Sequence, residues 1–182
     1  MSGAASDVRL TPFVPADADR LARLLAEERW PFHSGAPVTV EEVLGRLRDG
    51  WCDGPGIRTY WIGAGQADHV GFVRAWDIGD GAPLFDLRLG QAHRGRGLGR
   101  LAVRELTRLL FEDDPSLERI EATTRQDNVA MRRVLEACGY VKEAHYRRSW
   151  PTPDGALLDT VGYAVLRGDW IGGGTTPVPW DG

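Results

Sequence analysis

The chain has 182 residues, which favours one domain with its own hydrophobic core. Its formal net charge of −4 argues against a general nucleic-acid-binding protein, whose surface is normally basic. No apolar run approaches the ~18 residues of a membrane span, and the first residues do not resemble a secretion signal. Two cysteines are too few for a disulfide framework or a metal cluster. We therefore expect a cytoplasmic protein without metal, nucleic-acid or membrane partners.

The first half of the chain predicts two helices followed by three strands. An extended segment at Val8–Phe13 precedes a helix between Pro15 and Trp30, where leucines recur at helical spacing. A second helix begins at Thr39, which forms a capping box with Glu42 ahead of an i, i+3, i+4, i+7 apolar pattern. The strands are predicted at Ile57–Ile62, Val70–Ile78 and Leu84–Leu89.

The second half continues with a glycine-rich stretch, QAHRGRGLGR, that leads into a helix with one apolar stripe. We predict a strand at Arg119–Arg125, a helix from Asn128 to Cys138 that Gly139 ends, and strands at about Ala144–Trp150 and Asp159–Leu166. We therefore predict a single domain at residues 1–168 and a Gly/Pro-rich tail at residues 169–182. Trp170 and Trp180 in that tail indicate docking onto the body or a partner subunit.

The glycine-rich stretch has the composition of an anion-binding loop. The first N–H groups of a helix lack intrahelical partners, and the helix dipole adds positive charge there. Glycines at 95, 97 and 99 let a ligand approach the backbone and permit positive φ. The stretch lacks the Gly-Lys-Ser/Thr of a P-loop and the G-x-G-x-x-G of a Rossmann loop. From the loop alone, a diphosphate site and a glycine-rich turn with solvated arginines both remain open.

The stretch Arg94–Gly99, RGRGLG, matches the Q/R-x-x-G-x-G/A signature of GCN5-related N-acetyltransferases (GNAT). The chain resembles this superfamily over most of its length. Asn128 matches a frequent family asparagine, and the ending from Val134 to Trp170 is similar to the RimJ/RimL branch. The resemblance implies an α+β fold, with a mixed, mostly antiparallel central sheet flanked by helices. It also implies acetyl-CoA as cosubstrate and direct acetyl transfer to a primary amine without an acyl-enzyme.

The resemblance carries a set of coenzyme-binding residues onto this chain. The loop N–H groups would bind the pyrophosphate, the strand Leu87–Leu89 would pair with the pantetheine arm, and Asn128 would contact the arm or the diphosphate. A backbone N–H near Leu89 would bind the oxyanion. The residues implied are Leu87, Leu89, Arg94, Gly95, Arg96, Gly97, Leu98, Gly99, Arg100 and Asn128.

The reaction needs a base, because an alkyl ammonium with a pKa of ~10 is charged at neutral pH. Asp86 is the first candidate, as a lone carboxylate in an apolar strand leading to the loop; a salt bridge to Arg74 is its structural alternative. Glu121 and His145 are further candidates, whose alternatives are solvation and a structural hydrogen bond. The family's usual tyrosine acid is replaced by Leu135, so solvent is expected to protonate the thiolate.

The acceptor amine stays open at this stage. By resemblance, six aromatic residues lie where the family shapes its acceptor cleft, although core packing explains most aromatic residues: Trp30, Phe32, His33, Trp51, Trp61 and Trp76. A protein N-terminal amine, a small-molecule amine and an aminoglycoside are each compatible with the resemblance. A non-catalytic acyl-CoA-binding sensor is the alternative from another class. A homodimer is expected because dimers are common among similar enzymes.

Overall fold

The computed structural model describes residues 7–33 and 37–180. Seven strands form one sheet in the order β1-β2-β3-β4-β5-β7-β6, and only the β4–β5 pair is parallel. The strands are β1 (Val8–Pro12), β2 (Arg58–Ala64), β3 (Ala67–Trp76), β4 (Leu84–Leu89), β5 (Arg119–Arg125), β6 (Val141–Pro151) and β7 (Leu157–Leu166). The helices are α1 (Ala18–Glu27), α2 (Val40–Arg48), α3 (Leu98–Asp113), α4 (Val129–Ala137) and α5 (Arg167–Gly172). The predicted α+β class is confirmed.

Local sequence signals explain where several elements begin. The Thr39 hydroxyl accepts from the Glu42 N–H at 3.2 Å, and the Glu42 carboxylate accepts from the Thr39 N–H at 2.8 Å, which is the predicted capping box. The Asn128 side chain caps α4 by accepting from the Met131 N–H at 3.2 Å. The first helix differs from its prediction, because a 3-10 turn at Pro15–Asp17 precedes α1.

The sheet separates two hydrophobic cores. The larger core packs α3 and α4 against one face, and the smaller core packs α1 and α2 against the other. Side chains alternate along β4. Phe85, Leu87 and Leu89 therefore join the larger core, whereas Asp86 and Arg88 face the α1–α2 side. This alternation brings a carboxylate and a guanidinium to the end of α1.

Strands β4 and β5 separate soon after they meet. Within the described residues their only register pair is Leu84 with Glu121. The Gly90 N–H donates to the Val70 oxygen at 3.0 Å, so the even-numbered residues of β4 bond to β3. The backbone groups of Leu87 and Leu89 consequently point into the gap between β4 and β5. The fold thus presents an open strand edge beside the glycine-rich loop.

The C-terminal segment docks onto the body of the domain. The Trp170 ring lies 5.2 Å from that of Phe111, and the Arg167 guanidinium donates to the Leu117 oxygen at 2.6 Å and the Phe111 oxygen at 2.8 Å. The predicted docking of Trp170 is confirmed, whereas Trp180 is 61% exposed. Among residues 7–33 and 37–180, none of the helices is both long and apolar enough to cross a membrane.

Candidate active site

The glycine-rich loop ends in an unblocked helix start. Gly97, the residue before α3, has φ 78°, and Gly95 has φ 73°, in the left-handed region that glycine adopts without strain. The first bond of the helix runs from the Leu101 N–H to the Gly97 oxygen. Within the described chain, no hydrogen bond engages the N–H groups of Leu98, Gly99 or Arg100. These three N–H donors are available to an anionic ligand.

The loop arginines serve two different purposes. Arg94 donates to the Leu89 oxygen at 2.8 Å and to the Arg29 oxygen at 2.7 Å, and its guanidinium lies 5.3 Å from the Trp30 ring centre. It therefore ties the loop to β4 and to the end of α1. Arg96 and Arg100 are exposed and form no ion pair with a described residue. Their charge is available to a ligand of the loop.

A cavity of about 360 Å³, here called the loop cavity, lies between this loop, β4 and the start of α4. Its wall contains nine of the ten predicted coenzyme-binding residues: Leu87, Leu89, Arg94, Gly95, Gly97, Leu98, Gly99, Arg100 and Asn128. Arg96 is the predicted residue outside the wall. Unpartnered N–H groups beside exposed arginines fit a diphosphate, and the apolar side chains of Leu87, Met131 and Val134 fit an aliphatic arm.

Asn128 lines the loop cavity, and both polar atoms of its side chain form hydrogen bonds within the protein. Its Nδ2 donates to the Thr124 hydroxyl at 3.0 Å, while its Oδ1 accepts from the Met131 N–H. The side chain therefore fixes the start of α4 against β5. Leu135, at the family's tyrosine position, is fully buried, and no tyrosine of the described chain lines this cavity.

Asp86 contacts the segment that follows α1 and is bound at both oxygens. Its Oδ1 lies 2.9 Å from His33 Nε2, and its Oδ2 accepts from Arg88 Nε at 2.8 Å. Burial would raise the pKa of Asp86, but the His33 hydrogen bond and the Arg88 charge outweigh it and lower the pKa to about 2. Arg74, the arginine considered as its partner, donates instead to the Trp51 oxygen.

Glu121 and His145 lie away from the loop cavity. Glu121 sits where β4 and β5 meet and pairs with Arg119, whose guanidinium also binds Glu143. His145 is exposed on β6, an edge strand, with its Nε2 2.7 Å from Asp159. Neither side chain contributes to the wall of the loop cavity.

His33 is a site residue that sequence reasoning placed only as part of a cleft wall. Its ring lines the loop cavity, and its Nδ1 is buried without a hydrogen-bond partner among the described residues. The Trp-Pro-Phe-His run after α1 signalled an aromatic wall. The contact with Asp86 joins residues 53 positions apart, so the sequence around His33 could not predict it.

A second cavity of about 520 Å³, here called the α1–α2 cavity, adjoins the loop cavity. Trp30, Pro31, His33 and Arg88 belong to both walls. The β6–β7 turn contributes Pro153 to the α1–α2 cavity. The two cavities thus meet at the histidine.

The aromatic residues divide between these cavities and the core. Trp30 and Phe32 line the loop cavity, and Trp51 lines the α1–α2 cavity. Trp61 is buried in the smaller core. Trp76 packs against the Arg74 guanidinium, 5.0 Å from its ring centre. Only part of the aromatic set therefore lies where the resemblance placed a cleft.

A third cavity, of about 720 Å³, lies elsewhere, beside α3, α5 and the start of β1. It contains no residue of the glycine-rich loop before α3 and no candidate base. Its charged wall is largely self-paired, because Arg108 binds both Glu105 and Glu112. We place the candidate active site at the two smaller, adjoining cavities.

Comparison with known proteins agrees with this fold. The family model of the acetyltransferase (GNAT) domain matches residues 7–141, so the chain belongs to this family of acetyltransferases. No curated protein matches the chain.

Solved structures with the same fold include spermidine N-acetyltransferase from Vibrio cholerae. Its complex with CoA and spermine has a TM-score of 0.74 at 17% identity, covering 91% of this chain and 98% of that one. A chimera of the Vibrio cholerae enzyme with hSSAT has a TM-score of 0.79 at 17% identity, covering 91% and 99%. A dodecameric form of the Vibrio cholerae enzyme has a TM-score of 0.74 at 16% identity, covering 91% and 96%.

Proposed function

We propose that this chain is an N-acetyltransferase that moves the acetyl group of acetyl-CoA directly to a primary amine. The observation that carries the proposal is the row of unpartnered N–H groups at Leu98–Arg100, which opens on a cavity beside the free edge of β4. A diphosphate needs such donors, and an extended amide-containing arm needs such a strand edge. The family match supports the transferred group.

Each wall of the loop cavity binds a different part of the coenzyme in this proposal. The N–H groups of Leu98–Arg100 hold the diphosphate, with charge from Arg96 and Arg100. The backbone of Leu87 pairs with the amides of the pantetheine arm, and the Leu89 N–H is the donor for the acyl oxygen. The coenzyme supplies an activated acyl carbon and a thiolate leaving group.

The charges of the α1–α2 cavity bear on the acceptor. Its wall carries Arg29, Arg46 and Arg88 against Glu27 and Glu28, and Glu28 already accepts from the Gln91 N–H at 3.0 Å. Asp86, which pairs with Arg88, balances these charges at three against three, so the cavity gives a polycation no excess of negative charge to bind. We therefore propose an acceptor with one amine and no further positive charge, such as a small monoamine or a protein N-terminus, as in the RimJ/RimL branch.

Thiol release from acetyl-CoA with a panel of amines tests this function. We expect turnover with benzylamine or a short peptide with a free N-terminus, and little with spermidine or an aminoglycoside. A clear preference for spermidine would overturn the acceptor class alone. Silence across the panel despite tight coenzyme binding would instead support the non-catalytic sensor. Sedimentation would test the predicted homodimer.

A further inference from the structure

We propose that His33 is the catalytic residue that takes the proton from the acceptor amine, with Asp86 and Arg88 as its positioning residues. The inference rests on the proposed function, because a proton acceptor is needed only if an ammonium is the acceptor. It differs from the sequence-based expectation that Asp86 itself is the base.

The first argument is location. A base for amine acetylation must reach both the acyl donor and the acceptor. His33 belongs to the walls of both the loop cavity and the α1–α2 cavity, whereas Glu121 and His145 belong to neither. Arg88 shares this position but is a permanent cation that cannot accept a proton. His33 is thus the shared wall residue with base chemistry.

The second argument is the hydrogen bonding of the ring. An ionised carboxylate only accepts hydrogen bonds, so the ring hydrogen of a neutral His33 lies on Nε2, directed at Asp86 Oδ1. The lone pair is then on Nδ1, which is buried without a partner among the described residues. A buried acceptor without a hydrogen-bond partner is unfavourable unless a ligand supplies the donor. An incoming ammonium is a donor of the required kind.

The third argument removes Asp86 as the direct base. Its two oxygens are already occupied by His33 and Arg88. Its pKa of about 2 also makes the carboxylate a weak proton acceptor for an ammonium. Asp86 instead holds the ring in one tautomer, as the aspartate of a hydrolase triad does.

The surroundings of His33 are mostly cationic. The charged groups on the elements packed around it are Asp86 and Arg88 of β4, Arg94 of the loop, Arg100 of α3, Arg125 of β5, Glu27 of α1, Glu28 and Arg29 after α1, and Arg46 of α2. The Arg88 guanidinium also lies 5.4 Å from the Trp30 ring centre, so it is fixed on two sides. Arg88 thus holds the Asp86 carboxylate in place, and the carboxylate orients the ring.

The proton balance of the reaction follows. His33 Nδ1 takes one proton from the ammonium, and the neutral amine forms the C–N bond as the C–S bond breaks. The second proton of the amine leaves with the thiolate as the thiol, and His33 returns its proton to water. Because Nδ1 is buried, the atoms that cover it must move when an amine enters, as catalytic hydrogen bonds are often formed fully only with substrate bound.

The test compares His33→Gln with His145→Gln in the full chain. His145→Gln is the matched control, because His145 also binds an aspartate but lies outside both cavities. With acetyl-CoA and benzylamine, we expect His33→Gln to lower kcat by about 10²-fold or more and to move the acidic limb of the pH–rate profile towards the pKa of the free amine. We expect His145→Gln to behave as the parent. A parent-like rate and pH profile in His33→Gln would overturn the proposal.

Two further measurements separate this inference from the proposed function and from misfolding. Aniline is uncharged at neutral pH and needs no base, so its acetylation relative to benzylamine should rise in His33→Gln; equal losses with both amines would contradict the inference. Calorimetry with CoA should give parent-like affinity in His33→Gln. A parent that binds no CoA would defeat the proposed function. A parent that turns over while His33→Gln keeps its profile would defeat only the inference.

The positioning role of Asp86 has its own readout. Nitrogen NMR of the histidine rings should show His33 with its hydrogen on Nε2 in the parent and a mixed or inverted tautomer in Asp86→Asn. Kinetically, Asp86→Asn should lower kcat with little change in the KM for acetyl-CoA. A His33 ring that is doubly protonated in the parent throughout the neutral range would contradict the assignment.

Discussion

Two histidines of this chain are held by aspartates at nearly the same distance, in very different surroundings. His33 lies 2.9 Å from Asp86, and His145 lies 2.7 Å from Asp159. The first pair lies between two cavities, and its aspartate also binds an arginine. The second lies on edge strand β6, where the aspartate also accepts a backbone N–H from Arg148. A His–Asp pair alone therefore does not mark a site; the cavities that meet beside it do.

The largest expected effect comes from a substitution that disrupts the proposed coenzyme site beside the first pair. Gly97→Asp places a negative side chain at the unpartnered N–H groups before α3, and we expect the affinity for acetyl-CoA to fall by about 100-fold or more. Calorimetric titration measures the loss. Gly155→Asp is the matched control, because Gly155 has a similar φ of 83° and open space around it, but lies in the β6–β7 turn and outside the wall of the loop cavity.

Both variants place an aspartate in left-handed backbone, which destabilises the fold by a similar amount in each. Their circular dichroism spectra and melting temperatures should therefore change to the same extent. Coenzyme affinity should fall only in Gly97→Asp. Equal affinity in the two variants would show that the loop before α3 is not the diphosphate site.

A smaller effect concerns how much each of the two His–Asp pairs contributes to stability in acid. The folded-state pKa of Asp86, about 2, lies below its ordinary value of about 3.9. The contacts of Asp86 with His33 and Arg88 therefore stabilise the fold by about 2 kcal/mol above pH 4. This stabilisation is lost as the pH falls from about 4 towards 2. In urea unfolding, the parent should exceed Asp86→Asn by about that amount at pH 6, and the difference should shrink below pH 4.

Asp159→Asn provides the contrast for that measurement. The Arg148 N–H and the His145 side chain also lower the pKa of Asp159, so its effect has the same sign. Solvent screens this pair more than the first, and we expect a smaller difference. A larger pH-dependent loss in Asp159→Asn than in Asp86→Asn would reverse the ranking of the two pairs.

The smallest effect concerns the segment that carries His33. Arg94 donates to the Arg29 and Leu89 carbonyls, and Arg94→Lys keeps the charge but cannot hold both oxygens in the same planar geometry. We expect a loss of about 1 kcal/mol in the free energy of unfolding. Faster amide exchange at residues 28–33 should accompany it. Arg96→Lys, at an exposed side chain, should change neither quantity.

Much of the fold was predictable because its signals are local. The Thr39 capping box, the Asn128 cap and the bounds of β4 and β5 follow from neighbouring residues. The start of β6 at Val141 was missed because the Val-Lys-Glu stretch lacks clear alternation, and Glu143 is held there by Arg119 from another strand. Helix α5 was missed because Arg167 fixes it through distant carbonyl groups.

The candidate site was predictable to the extent that one stretch of chain carries it. The glycine-rich loop has a contiguous pattern, whereas the His33–Asp86 contact depends on how the segment after α1 lies against β4. Asp86 and Arg74 are in register across β3 and β4, as a sequence-based salt bridge requires. Arg74 nevertheless turns to the Trp51 carbonyl, and Arg88 of the same strand takes its place.

Diffraction from crystals soaked with CoA tests the central claim most directly. The account predicts diphosphate density within hydrogen-bond distance of the N–H groups of Leu98, Gly99 and Arg100, with the arm lying along Leu87 and Leu89 in the gap between β4 and β5. An ordered coenzyme in the cavity beside α5, or a loop left empty at saturating CoA, would contradict it.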